Sequence, residues 1–231
     1  MGVTVRNARR CVYCGAIATT RDHVISRCLL EKPFPANLPT VHSCEDCNRG
    51  FAKDEEYFLA ALATSGFVFT LQSKLIEGGV VDRMLTRSRS LDDRINASLQ
   101  TAEDGRVYLQ PELERIARVV RKVAFGLYLK RYTRKAAALT EFDVWPLEHS
   151  QSGDQRILLM AHNERFRPKR WVTVQKGVFA YMFVRNWIWG DFGRLFCIMK
   201  FHETIRAAVG CPWKQRLADT GDSQQTLPFG M

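Results

Sequence analysis

Cysteine spacing constrains this chain more than any other feature. Cys11-Val12-Tyr13-Cys14 and Cys44-Glu45-Asp46-Cys47 are two C-x-x-C pairs, with 29 residues between Cys14 and Cys44. Two such knuckles close a tetrahedral thiolate zinc site, which joins distant pieces of chain without a large hydrophobic core. The interval exceeds the ~15–20 residues of a simple zinc ribbon, so something further is built on the clamp. A site with four thiolate ligands is closed and has no open position at which to activate water. Hydrolytic chemistry would have to come from the residues of the insert, with a second metal or none.

Thiol pairs of this kind favour metal over disulfide in a reducing compartment. The other three of the seven cysteines, Cys28, Cys197 and Cys211, sit beside apolar residues or a Pro-Trp pair and read as buried free thiols. No apolar run approaches the ~18–20 residues of a membrane-spanning helix. The N-terminus, Met1-Gly2-Val3-Thr4-Val5-Arg6, lacks the apolar stretch of a secretory signal. The expectation is a cytoplasmic protein with no membrane association.

The formal charge of +10 points to an acidic partner, nucleic acid first among them. Residues 1–60 are nearly balanced, with eight Lys/Arg against seven Asp/Glu. Residues 111–140 hold eight basic residues (Arg115, Arg118, Arg121, Lys122, Lys130, Arg131, Arg134, Lys135) against Glu112 and Glu114. A second basic cluster is Arg165-Phe166-Arg167-Pro168-Lys169-Arg170. A backbone-gripping surface would then lie mostly outside the cysteine module, although an ordinary solvated helix surface accounts for the helical charges equally well.

Asp22-His23-Val24-Ile25-Ser26 reads as a strand, and Pro33, Pro35 and Pro39 mark the loop after it. From Asn48 through Leu62 the pattern is helical, and mixed helix continues to about Leu91 with a break at Gly78-Gly79. Asp104-Gly105 signals a hairpin between Ile95–Leu99 and Val107–Leu109. Leu113, Ile116, Val120, Val123 and Leu127 step by 3, 4, 3 and 4, one apolar stripe of a helix that begins near Pro111. The last third is β-rich: Arg156–Met160, Trp171–Val174, Val178–Val184 and Leu195–Met199. From Asp219 the chain is polar and aperiodic and reads as a disordered tail. The fold class is α+β.

Inside the insert, Asp22 is a hard oxygen donor beside His23, and Asn48 follows the last cysteine at a helix start. On a strand, Asp22 and His23 point to opposite faces unless the strand bends. Taken with Cys11-x-x-Cys14, Asp22-His23-Val24-Ile25, Asn37-Leu38 and Cys44-x-x-Cys47-Asn48, the chain resembles an HNH endonuclease of the zinc-bound ββα-metal type over residues 9–60. The resemblance implies a nuclease module at residues 1–60. An α+β domain that binds DNA or a protein partner would follow at residues 61–218, with the tail at 219–231.

The same resemblance implies roles for individual residues. His23 would be the general base that activates water against a phosphodiester. Asp22 and Asn48 would hold one divalent ion, Mg2+ or Mn2+, and Asn37 would fix the His23 loop by hydrogen bonds to its backbone. Cys11, Cys14, Cys44 and Cys47 would hold a structural zinc. Asn48 stands where the family has a second histidine, a neutral and weaker ligand. Arg21, Arg49 and Lys53 flank the site as candidate phosphate contacts, and surface charge explains each as well. His42 could substitute as a ligand but reads rather as a surface-loop histidine, and Asp54, Glu55 and Glu56 could add a metal ligand but read rather as helix-surface acids. The rival readings are a non-catalytic zinc-binding DNA-binding protein, and a nuclease subunit of a defence or mobile-element system that runs only with its partner.

Overall fold

In the computed structural model the described residues are 9–64, 79–132, 138–145, 171–185, 195–202 and 205–211. They form the expected α+β mixture. Strands β1 (Thr20–His23) and β2 (Thr40–Ser43) pair antiparallel, with Asp22 opposite Val41 and His23 opposite Thr40. Helix α1 (Glu45–Thr64) follows β2 directly. Its first turn carries Glu45 and Asp46, whose negative charge suits the positive end of the helix dipole.

Helices α2 (Val80–Arg87) and α3 (Arg89–Ala97) lead to a small hairpin of β3 (Leu99–Thr101) and β4 (Val107–Leu109). The hairpin forms around Asp104-Gly105 as expected, but Ile95-Asn96-Ala97 belongs to α3 rather than to its first strand. Helix α4 (Leu113–Tyr132) is next. A five-stranded antiparallel sheet closes the chain, in the order β5 (Asp143–Trp145), β9 (Ile205–Cys211), β8 (Leu195–Phe201), β7 (Phe179–Arg185), β6 (Val172–Gln175). The expected strand at 156–160, the basic cluster at 165–170 and the tail from 219 lie outside the described residues.

Helix α4 is buried over most of its middle, from Val119 to Tyr128, because α1 covers one side and the sheet another. One hydrophobic cluster includes Val24 and Ile25 after β1, Phe58 and Leu62 of α1, Val119 and Val123 of α4, and Phe179 and Phe201 of the sheet. Rings join the layers: Phe58 meets Phe201 edge-on at 5.3 Å and Phe125 meets Phe142 at 5.2 Å. The boundary expected near residue 60 falls inside α1, and this shared core lies on both sides of it. No helix among the described residues is long and apolar enough to cross a membrane.

Candidate functional site

The four knuckle cysteines converge. Their Sγ atoms all lie within 4.8 Å of one another, and Cys14 and Cys44 are 3.6 Å apart. A tetrahedral zinc with ~2.3 Å bonds to sulfur requires S···S separations of about 3.8 Å, so the donor set fits that ion in both geometry and softness. The first knuckle is a tight turn in which Gly15 N–H donates to Cys11 O at 2.9 Å, with Gly15 at φ 78°, a conformation glycine adopts freely. Val12 N–H donates to His42 O at 3.0 Å and ties that turn to β2. The second knuckle spans the step from β2 into α1, where the Cys44 sulfur receives the Cys47 N–H at 3.5 Å.

Burial pushes the Cys11 thiol up, but the backbone N–H groups of Cys44, Cys14 and Tyr13 outweigh it and bring its pKa down to about 6. Cys47 moves the other way, raised by burial and by the neighbouring sulfurs. Outside the cluster, Cys197 and Cys211 are buried as expected. Cys28 is only half-buried, yet burial of its thiol still raises the pKa to about 12.

The β1–β2 ribbon has two faces. Arg21, His23, Thr40 and His42 share the outer one, where Arg21 Nε donates to Thr40 Oγ1 at 3.1 Å. His23 ends β1 on that face and is half-buried. Its pKa is lowered by burial first and then by the charge of Arg27, which favours the neutral imidazole at pH 7. Burial and the charges of Arg9, Arg21 and Lys130 lower His42 in the same way.

Thr20, Asp22, Val41 and Ser43 share the inner face. There Asp22 is 5% exposed, accepting from the Tyr13 hydroxyl at 2.7 Å and from the Lys122 ammonium at 3.0 and 2.9 Å. Lys122 also pairs with Glu55 and donates to the His23 carbonyl at 2.9 Å. Burial first, then the Asp22 carboxylate, raises the Tyr13 phenol well above its ordinary range. Asn48 does not join Asp22. Its amide donates to Thr20 Oγ1 at 3.4 Å, two residues earlier on the strand. Asn37 is exposed in the turn before β2, and its side chain makes no hydrogen bond among the described residues. Lys53 and Arg49 are exposed on α1, Arg49 paired with Glu45, and Arg21 lies apart from both on the ribbon.

Two expectations about charge are corrected here. Asp54 and Glu55 are not surface acids but 2% and 5% exposed. Asp54 is held by Arg115 at 2.7 Å and Arg118 at 2.8 Å, and Glu55 by Lys122. Glu56 is only partly exposed and pairs with Arg87 at 3.0 Å. For the same reason much of the basic helix is not a free gripping surface. Arg115, Arg118 and Lys122 compensate acids of the core edge, and Arg121 Nε donates to Phe142 O at 2.8 Å. Arg134 and Lys135 lie outside the described residues.

Sequence reasoning misses the Lys122 cluster, because its members are 67 and 100 residues apart in the chain. A signal for it does exist. Val119 through Leu129 is apolar except for Arg121 and Lys122, so at least one charge had to sit inside and find a partner. No model of a known protein family, no curated protein and no solved structure matches this chain.

Proposed function

We propose that this chain is a nuclease of the HNH type that hydrolyses phosphodiester bonds in DNA, with His23 as general base and a structural zinc on the four cysteines. The observation that carries the proposal is the chain order β1–β2–α1 stapled by four sulfurs, with a half-exposed histidine at the end of β1. The neutral ring has a free lone pair for a water proton. Arg21 shares its side of the ribbon and the charge of Arg27 reaches it, a positive setting for a phosphate.

The catalytic Mg2+ or Mn2+ implied by the resemblance does not fit the arrangement seen. An ion at Asp22 would meet the Lys122 ammonium, which already bridges Asp22 and Glu55, and Asn48 is bonded to Thr20 instead. No step is therefore routed through that ion. The same ion pair favours the second reading, a zinc-stapled DNA-binding protein without catalysis.

Supercoiled plasmid separates the two readings. Incubation with Mg2+ or Mn2+ is expected to give nicked or linear product, with an EDTA arm that reads the need for an added ion. Intact plasmid with tight DNA binding supports the non-catalytic reading instead. Acid sensitivity adds a check. Because the His23 pKa lies below the ordinary 6.5, the base form predominates at pH 7 and is lost as pH falls through that lower value. More than half of the cleavage rate at neutral pH should remain at pH 6.5, with zinc content assayed at each pH, since acid also displaces metal from thiolates. An acid limb centred above pH 6.5 would contradict His23 as the base.

A further inference from the structure

We infer that Lys122 of α4 is a positioning residue for His23, so that a helix distant in sequence sets the aim of the catalytic base; the inference rests on the nuclease reading above. Lys122 is fully buried, and its ammonium is shared among three groups: the Asp22 carboxylate, the Glu55 carboxylate and the His23 carbonyl oxygen. An ammonium has three protons to donate, so this set uses it completely. A buried cation persists only when so compensated.

Its bond to the His23 carbonyl fixes the peptide at the point where β1 ends. The next N–H, that of Val24, donates to Pro39 O at 2.8 Å, so the backbone is held on both sides of that peptide. A fixed backbone fixes the Cα–Cβ bond from which the ring is carried and limits the rotamers open to it. Asp22, the residue before His23, is anchored by the same ammonium.

Gly126, one turn further along the same face of α4, supplies the steric half of the device. A Cβ there would lie 2.7 Å from Val24 Cγ1 and 2.8 Å from Val24 Cγ2. Only glycine lets α4 come close enough for Lys122 to reach the strand end without displacing Val24, which is itself fully buried. Lys122 thus presses from beneath on the residues that aim the base, while never facing the DNA.

Steady-state cleavage of supercoiled plasmid tests this. Lys122→Met is expected to lower kcat by ~10²-fold, the cost of a misplaced catalytic group, while KM for the plasmid and the zinc content stay unchanged. A purely structural lysine would not produce that split in a folded, zinc-loaded variant. Wild-type kcat, within about threefold, in such a variant would overturn the inference.

Should Lys122→Met fail to fold, Gly126→Ala carries the test. Its methyl group pushes on Val24 and should lower kcat at constant KM, and adding Val24→Ala should restore much of the loss, with Val24→Ala alone measured alongside. Unaltered kcat in Gly126→Ala overturns the inference, and so does a double variant no faster than Gly126→Ala itself. A wild type that leaves plasmid intact removes the nuclease reading and this inference with it. Cleavage at the wild-type rate in a folded, zinc-loaded Lys122→Met removes this inference alone.

Discussion

Cys44→Ser is expected to release the zinc and unfold much of the N-terminal ribbon and the start of α1. Cys44 stands between β2 and α1, lies 3.6 Å from Cys14 and receives the Cys47 N–H, so its loss reaches both knuckles. A serine hydroxyl at neutral pH is a poor substitute for a soft thiolate. Structural zinc sites are worth ~10–16 kcal/mol in peptides that fold around them. A whole domain of this kind is stable by only ~5–15 kcal/mol. Loss of the ion should therefore lower the melting temperature by more than ~10 °C, since each kcal/mol moves it by a few degrees at this chain length. Metal analysis should fall from one zinc per chain to well below one. Cys28→Ser, a half-buried thiol that contacts Ser26 Oγ and lies outside the cluster, is the control and should keep its zinc. Full zinc occupancy in Cys44→Ser would show that the four sulfurs are not a metal site.

His23→Ala should abolish plasmid cleavage while leaving the zinc, the fold and the affinity for DNA in place. Loss of a general base costs typically 10²–10⁴-fold in rate. The structure supports the second half of the prediction. His23 lies on the outer face of the ribbon and is half-buried, while Lys122 holds the residue through its carbonyl, which alanine retains. Truncation therefore leaves the backbone anchor and the strand pairing in place. A His23→Ala protein that cuts at the wild-type rate would leave the nuclease proposal without its base. Cleavage absent from both proteins, with DNA binding retained in both, would favour the non-catalytic reading.

What the amino-acid order discloses about this site divides by distance along the chain. The sulfur cluster is legible because a C-x-x-C knuckle is a local covalent pattern, and two of them point to one ion before any fold is known. The strand carrying His23 is legible only approximately. The β-branched pair Val24-Ile25 suggests a strand continuing to Ser26, whereas β1 stops at His23 and both residues turn into the core, fully buried. Apolar character there reports burial, and burial alone does not distinguish a strand from a loop packed beneath a helix.

Charge is the least readable feature. Lys122 belongs to a basic helix by composition, yet its partners come from β1 and α1, and no local pattern records a pairing over 100 residues. Asp54 and Glu55, adjacent acids on α1, are each buried by cations of α4. The roles expected of Asp22 and Asn48 rest on the family pattern. Their observed partners, Tyr13 with Lys122 and Thr20 respectively, depend on tertiary packing that the pattern does not encode.

The shared hydrophobic cluster between α1, α4 and the residues after β1 bears on any attempt to transplant the ribbon and its helix. A fragment ending after Thr64 would bare Val24 and Ile25 to water and leave two carboxylates, Asp22 and Glu55, deprived of the cation that neutralises them. Such a piece is not a portable unit. A chimera that grafts the ribbon and α1 onto another scaffold has to bring α4 along as a matched part.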